Sequence, residues 1–322
     1  ISIITLSENK EICSLLKAID KTYYLDLKNP FSFFFKYFKL LREIKNKNYD
    51  FIVDLEFVTN FSALTTLLIS IVSKPCATIG FSSPSKWRNK IYSIAIPFDH
   101  SRHITEIFAK VFFPLVEKSF SVDFEIPKRD MISSAKLSPL VEKLLEKHSE
   151  VNKIVCVNIN AGKICYLRRW PQENYVELIL GLYHRFGIKV VLVGGEGDVG
   201  YVNDFIMKLP KKINIFNFCG KLSIKELVGL FTRSRLLITN DSGPLHIASI
   251  VGLPTVSFFG PETPYLYGPL GPEHHVFYED IFCSPCINIY NAKASSCNNN
   301  ICLKSIGSEI VTKTIEEKNF LI

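Results

Sequence analysis

The densest chemistry in the chain lies at residues 235–264, RLLITNDSGPLHIASIVGLPTVSFFGPETP, where a strand, an Asp-Ser-Gly turn, a proline and a helix follow in one tight run. Ser242 is placed to cap that helix and Pro244 to open it, so the amides of Ser242 and Gly243 face whatever sits above the sheet. Amides at a helix start, aided by the helix dipole, make an anion site. Asp241 stands just before them, and His246 lies one turn into the helix, where a ring N–H can donate to a phosphate oxygen. A capped helix with a core histidine is the alternative.

A second loop, NINAGKICYLRRWP at residues 158–171, puts Arg168 and Arg169 at a helix start, where their charge opposes the dipole unless an anion joins them. A guanidinium grips phosphate oxygens in bidentate fashion, so the pair points to a diphosphate; a solvated pair with Trp170 as a packing residue is the other reading. LVGGEGDVG contains Gly195-x-Gly197-x-x-Gly200, the dinucleotide fingerprint on paper. The strand that should end in a ribose-binding acid ends instead in Cys219-Gly220, which favours a turn beside a ligand over an NAD loop. Glu196 in that turn is placed to hold nucleoside hydroxyls.

Asp54 and Glu56, in DFIVDLEFVTN, fall at the carboxyl end of a strand, where either can act as a base or merely cap the next helix. Cys283-x2-Cys286-x10-Cys297-x4-Cys302 resembles a zinc knuckle, but its second pair is stretched; the expectation is thiols or a local disulfide and no metal.

These residues are carried by alternating β and α segments in both halves, a pattern that implies parallel sheets. In the first half, β-rich runs at 1–6, 23–27, 51–55, 77–80 and 93–97 alternate with helical patterns near 8–18, 30–47, 61–73 and 103–117. In the second, strands at 153–159, 188–193, 213–218, 235–239 and 255–260 alternate with helices at 171–186, to about Leu209, 223–231 and 244–251. A polar helix at 138–150 connects them, giving expected domains of 1–150 and 151–322. Gly80 is the only one of 16 glycines before residue 162, so backbone able to wrap a phosphate belongs to the second half.

With 322 residues, 47% hydrophobic and 21% charged, the chain buries a large core and is not disordered. Its longest apolar run, Phe61 to Ser73, is short of the ~20 residues that cross a bilayer, and no signal peptide is visible behind the initial Ile1. Nine cysteines, five of them scattered singly, suit a reducing compartment, so the cytoplasm is expected. A net charge of +7 favours an anionic ligand or membrane surface and does not require nucleic acid.

RRWPQENYVELI, LVGGEGD, the segment from Cys219 to Pro264 and the closing CSPC…CL together resemble the ADP-heptose:lipopolysaccharide heptosyltransferases, glycosyltransferase family 9, densely over about 155–305 and loosely in the first half through YDFIVDLEFVTNFSAL and TIGF. The resemblance implies an α/β GT-B fold: two Rossmann-like domains facing a central cleft, the acceptor on the first, the sugar nucleotide on the second, and inversion at the anomeric carbon. It implies an ADP-sugar as donor substrate with no separate cofactor, an anionic glycolipid acceptor, no nucleic acid, and peripheral contact with the inner face of the cytoplasmic membrane. Carried over by position, Arg168 binds donor phosphate, with Lys163 a weaker candidate. Glu196 holds the ribose, Leu222 packs on adenine, and Asp241, Ser242, Gly243 and His246 match Asp-Ser/Thr-Gly-x-x-His, Asp241 binding sugar hydroxyls.

The chain departs from the family at its start, where members carry a strand and a glycine-containing loop with an aspartate as base; ISIITLSENKE resembles their second βα unit instead. The expectation is therefore that the base comes from a preceding segment or from Glu56 or Asp54, and that this chain binds donor better than it transfers sugar. A sugar-nucleotide epimerase and a non-catalytic nucleotide-sugar-binding protein are the competing functions.

Overall fold

The computed structural model describes residues 1–27, 29–45, 47–57, 59–83, 86–116, 125–147, 153–162, 165–288, 291 and 294–321. The chain divides into two units, Ile1–Asp123 and Phe124–Ile322.

The second unit is built on β6 (Ile154–Asn158), β7 (Lys189–Leu192), β8 (Ile215–Asn217), β9 (Leu236–Asn240), β10 (Thr255–Phe259) and β11 (His274–Tyr278). IVCVN, LLITN and TVSFF are buried at every position, as strands covered on both faces must be, which is why they read as continuous apolar runs. All pairings are parallel and the order is β11-β10-β9-β6-β7-β8. Renumbered within the unit this is 6-5-4-1-2-3, the doubly wound order whose direction reverses between β6 and β9. Strand β11, absent from the sequence expectation, adds an outer edge.

Helices α8 (Gln172–Phe186), α9 (Val199–Met207), α10 (Ile224–Phe231) and α11 (Gly243–Val251) make the crossovers, with short α12 (Pro264–Tyr267), α13 (Ile301–Lys304) and terminal α14 (Ser308–Glu317) following. Gly187 and Gly252 close α8 and α11 in the left-handed conformation, φ 63° and 79°. Trp170 anchors one face of the sheet: it is fully buried, stacks on Phe258 at 4.1 Å and donates its indole N–H to the Ile306 carbonyl at 2.9 Å.

Two further helices, α6 (Glu125–Ser134) and α7 (Pro139–Lys147), belong to this unit and precede its first strand. The expected domain boundary at 150 therefore falls after them. The reason is packing: α6 lies against α10 and α11, the Lys136 amide donates to the Lys225 carbonyl at 3.1 Å, and a Cβ on Gly229 would stand 2.1 Å from the Lys136 carbonyl oxygen.

In the first unit β1 (Ser2–Leu6) pairs in parallel with β2 (Lys21–Leu25), and β3 (Phe51–Asp54), β4 (Ala77–Phe81) and β5 (Ile94–Ile96) form a second parallel ladder. Sequence implied one sheet; among the described residues these are two, joined by a shared apolar core. That core unites Ile4 and Leu6 of β1, Tyr23 and Leu25 of β2 and Ile52 of β3 with residues of α2 (Pro30–Lys45) and α3 (Asn60–Ser73). The remaining helices are α1 (Lys10–Cys13), α4 (Lys86–Asn89) and α5 (Ile104–Phe112); α1 is only four residues long, where a full helix over 8–18 was expected.

Candidate functional site

Four loops leave the carboxyl edge of the second unit's sheet side by side, after β9, β6, β7 and β8. The first two flank the reversal of strand order, where open α/β sheets place their ligands.

Asn158 ends β6 and Asn240 ends β9, and the two lock the loops that follow. Asn158 donates from Nδ2 to Thr239 Oγ1 at 3.1 Å and to Ser242 Oγ at 2.9 Å, while its Oδ1 accepts from the Asn160 side chain at 2.9 Å. Asn240 donates to the Asn160 carbonyl at 3.1 Å and accepts from the Trp170 amide at 2.9 Å and the Tyr175 hydroxyl at 3.1 Å. These polar groups are buried, where interlocking hydrogen bonds fix one geometry, and the Asn160 Oδ1 alone among them is left without a partner among the described residues. Sequence reasoning passed over this frame. Its signal was an asparagine closing each of two apolar strands, IVCVN and LLITN.

Ser242 does not cap α11. Its hydroxyl is taken by Asn158 and lies 3.0 Å from Thr239 Oγ1, and no side-chain cap bond is made. The expected consequence survives by another route: among the described residues the Ser242 and Gly243 amides have no backbone partner, and nothing lies within 4 Å of a Cβ built on Gly243. His246 is exposed on the first turn of α11, which sets aside the core-histidine alternative.

The arginine pair separates. Arg168 Nη1 lies 3.0 Å from Asp241 Oδ2, with both side chains largely buried, and its Nη2 sits 3.5 Å from where a Cβ on Gly162 would be. Arg169 turns toward Asp198 at 3.9 Å and stacks between the rings of Tyr166 and Tyr201, 4.3 and 3.8 Å from their centroids, with its Nε buried and without a hydrogen-bond partner among the described residues. So each guanidinium has a carboxylate from a neighbouring loop, and no shared anion is needed to offset them. Lys163 lies outside the described residues.

The loops after β7 and β8, which carry Glu196 and Leu222, touch at Gly220. With φ at 71°, Gly220 runs its main chain against the β7 loop, where a Cβ would stand 3.3 Å from Glu196 Cα and 2.7 Å from Val199 Cγ2. Glu196 is exposed there, and Leu222 follows two residues on, half-buried ahead of α10. The glycines of GEGDVG do not behave as a dinucleotide fingerprint: Gly195 has ordinary extended backbone, φ −81°, and a Cβ on Gly200 would meet nothing within 4 Å, so close helix–strand packing does not require it.

In the first unit Asp54 is buried, accepting from the Tyr92 hydroxyl at 2.6 Å and the Glu56 amide at 3.0 Å, with Arg88 Nη2 at 3.9 Å. Burial pushes its carboxyl above the usual range, against the pull of those donors, and also raises the Tyr92 phenol. Arg88 is fully buried and donates to the Thr59 carbonyl at 2.8 Å and to the Glu56 carbonyl. The Glu56 carboxylate accepts from the Thr59 amide at 2.8 Å and from the Thr59 hydroxyl, at the start of α3. Both acids thus hold the β3–α3 turn, the capping alternative raised by their position.

The four clustered cysteines are free thiols; burial pushes Cys302 up to about 11, with Cys286, Cys283 and Cys297 adding to the shift. Among the described residues no group of three or more His, Cys, Asp or Glu is arranged to hold a metal.

Glycosyltransferase family 9 (heptosyltransferase) matches residues 37–295. Lipooligosaccharide heptosyltransferase 2 of Haemophilus influenzae is 33% identical over 105 residues, 32% of this chain and 30% of that protein. The enzyme of the same name from Campylobacter jejuni serotype O:6 is 25% identical over 223 residues, 68% of this chain and 67% of the relative. The match to the first of these thus spans under a third of the relative's length. A glycosyl transferase family 9 structure from Veillonella parvula shares the fold with TM-score 0.72 and 21% identity, covering 99% of this chain and 87% of that one. The architecture is the α/β GT-B fold.

Proposed function

Because the chain belongs to glycosyltransferase family 9, the heptosyltransferases, we propose that it is an inverting glycosyltransferase that moves a heptose or related sugar from an ADP-sugar to an anionic glycolipid acceptor of the lipopolysaccharide-core type. The observation that carries this reading is the conjunction at the strand-order reversal of Arg168, Asp241 and the open start of α11.

In this reading the donor diphosphate lies over the Ser242 and Gly243 amides, with His246 beside it, and draws on the Arg168 guanidinium. A free carboxylate beside a diphosphate is repelled, so Asp241 keeps Arg168 oriented and turns its remaining acceptor capacity to sugar hydroxyls. Glu196 takes the ribose hydroxyls and Leu222 packs on adenine, with Lys163 a further phosphate ligand. The acceptor hydroxyl attacks the anomeric carbon, the bond from that carbon to the diphosphate oxygen breaks, and ADP leaves. Arg168 and the α11 dipole stabilise the charge that develops on it.

The hydroxyl's proton must go to a base. Asp54 is held between Tyr92 and Arg88, which supports a structural role. Glu56 is the carboxylate to test: as a helix cap, Glu56→Gln costs less than about tenfold in rate, whereas a base costs ~10²–10⁴.

The decisive experiment follows ADP release from ADP-heptose with a heptose-free lipopolysaccharide core as acceptor. Acceptor-dependent release that Arg168→Ala lowers supports the reading. ADP-heptose binding without release at any acceptor concentration would leave a binding protein, and acceptor-independent isomerisation of the sugar would make it an epimerase.

A further inference from the structure

Helix α2 is apolar on two sides. Phe33, Tyr37, Leu40, Leu41 and Ile44 enter the first unit's core. Phe31, Phe34, Phe35 and Phe38, at helical spacing i, i+3, i+4 and i+7, point the other way and are 59–89% exposed. Phenylalanine at such exposure is unusual enough on one helix to mark an interaction surface. The same exposed side continues with Arg42 and Lys45, and Lys39 flanks it. Within α2 four cations face one acid, Glu43, which is already bonded to Lys21 at 2.6 Å. The neighbouring α3 adds exposed Leu64 and Ile71.

We infer that this exposed face of α2 docks on a bilayer surface that carries anionic headgroups. Two physical features select that occupant. Protein–protein contacts are depleted of lysine among their aromatic anchors, whereas helices that lie in a membrane interface combine buried phenylalanine with a rim of Lys and Arg. The charge is also complementary, since cations beside an inserted apolar face are drawn to anionic lipid, each strengthening attachment about fivefold. Among the described residues no helix is long and apolar enough to cross a membrane, so attachment through α2 lies along the surface. The inference rests on the reading of the acceptor as a glycolipid: a protein held flat on the membrane meets such an acceptor in two dimensions.

The test is co-sedimentation of the whole chain with phosphatidylcholine vesicles, with and without about a third phosphatidylglycerol. Wild type is expected to sediment with the mixed vesicles and weakly with phosphatidylcholine alone. Replacing Phe31, Phe34, Phe35 and Phe38 together by Ser is expected to reduce binding at least about a hundredfold, and Lys39→Glu, Arg42→Glu and Lys45→Glu together to abolish the preference for anionic lipid. A Phe35→Trp variant should shift its emission to the blue on mixed vesicles. The circular dichroism and urea midpoint of each variant show that it is folded, and ADP affinity, read at the other unit, reports separately on the proposed function. Equal sedimentation of wild type and the four-Ser variant overturns the inference. So does a wild-type dimer that the four-Ser variant dissolves without any vesicle binding, which would assign the face to a second copy.

Discussion

Arg168 Nη1 and Asp241 Oδ2 lie 3.0 Å apart although the residues are 73 positions apart, and their pair bridges the loops after β6 and β9 where the strand order reverses. A largely buried guanidinium held by one carboxylate is pre-oriented for a second anion, and it loses little freedom when that anion arrives.

Arg168→Ala is therefore expected to weaken ADP binding by about 1.5–3 kcal/mol, the range for a charge-assisted hydrogen bond, and calorimetry reads it directly. NAD should bind far more weakly than ADP, because the β7 turn lacks the packing and the acid of a dinucleotide site. Equal affinities, or an Arg168→Ala variant that binds like wild type, would remove the diphosphate from this position.

The glycines after β7 should respond oppositely to the same change. A Cβ on Gly194 would stand 2.4 Å from Asn160 Nδ2 and 2.8 Å from Cys219 Sγ, so Gly194→Ala should strain the asparagine frame and lower stability by about 1–3 kcal/mol. Gly200, in α9 with open space around it, should gain up to about 1 kcal/mol as alanine. Urea unfolding of both variants decides the point, and loss at Gly200 would mean that something packs there.

Asp54 carries a pH signature. Its carboxyl is raised in the folded state by burial, so its contribution to stability is fully present below the unfolded value of about 3.9 and is lost as pH rises through the folded value. Asp54→Asn cannot titrate. The stability of wild type relative to this variant should fall across that interval and stay level above it, as read from urea midpoints at successive pH values. A relative stability that climbs with pH would show that Arg88 and Tyr92 outweigh burial.

Thiol reactivity should sort the cysteines. Cys76 and Cys283 are exposed, whereas Cys156, Cys219 and Cys302 are buried with thiols pushed to about 12, 11 and 11. Iodoacetamide at neutral pH should label the first two and spare the other three until the chain unfolds, as peptide mass spectrometry will show. Among the described residues no group of three or more His, Cys, Asp or Glu is arranged to hold a metal, so chelation should leave ADP binding unchanged; stoichiometric zinc whose removal unfolds the protein would reverse this.

Much of this molecule is written in local pattern. Buried parallel strands must be apolar along their length, so IVCVN, LLITN and TVSFF announce themselves, and the DSGP turn marks the start of α11 because Gly and Pro set backbone angles wherever they stand. The choice of partners was not written there. Ser242 looked like a cap, and only the adjacency of β6 and β9 brings Asn158, 84 positions earlier, to claim its hydroxyl. Two adjacent arginines looked like one site, and the folded loops send them to different carboxylates. Asp54 and Glu56 looked equally able to be base or cap until Tyr92, Arg88 and Thr59 closed around them. The phenylalanines of α2 stand in the sequence, but a helix with two apolar sides gives no sign of which one the core will take. Periodicity is a property of neighbours along the chain, whereas burial and pairing depend on segments that only folding brings together, and there the tertiary structure alone decided.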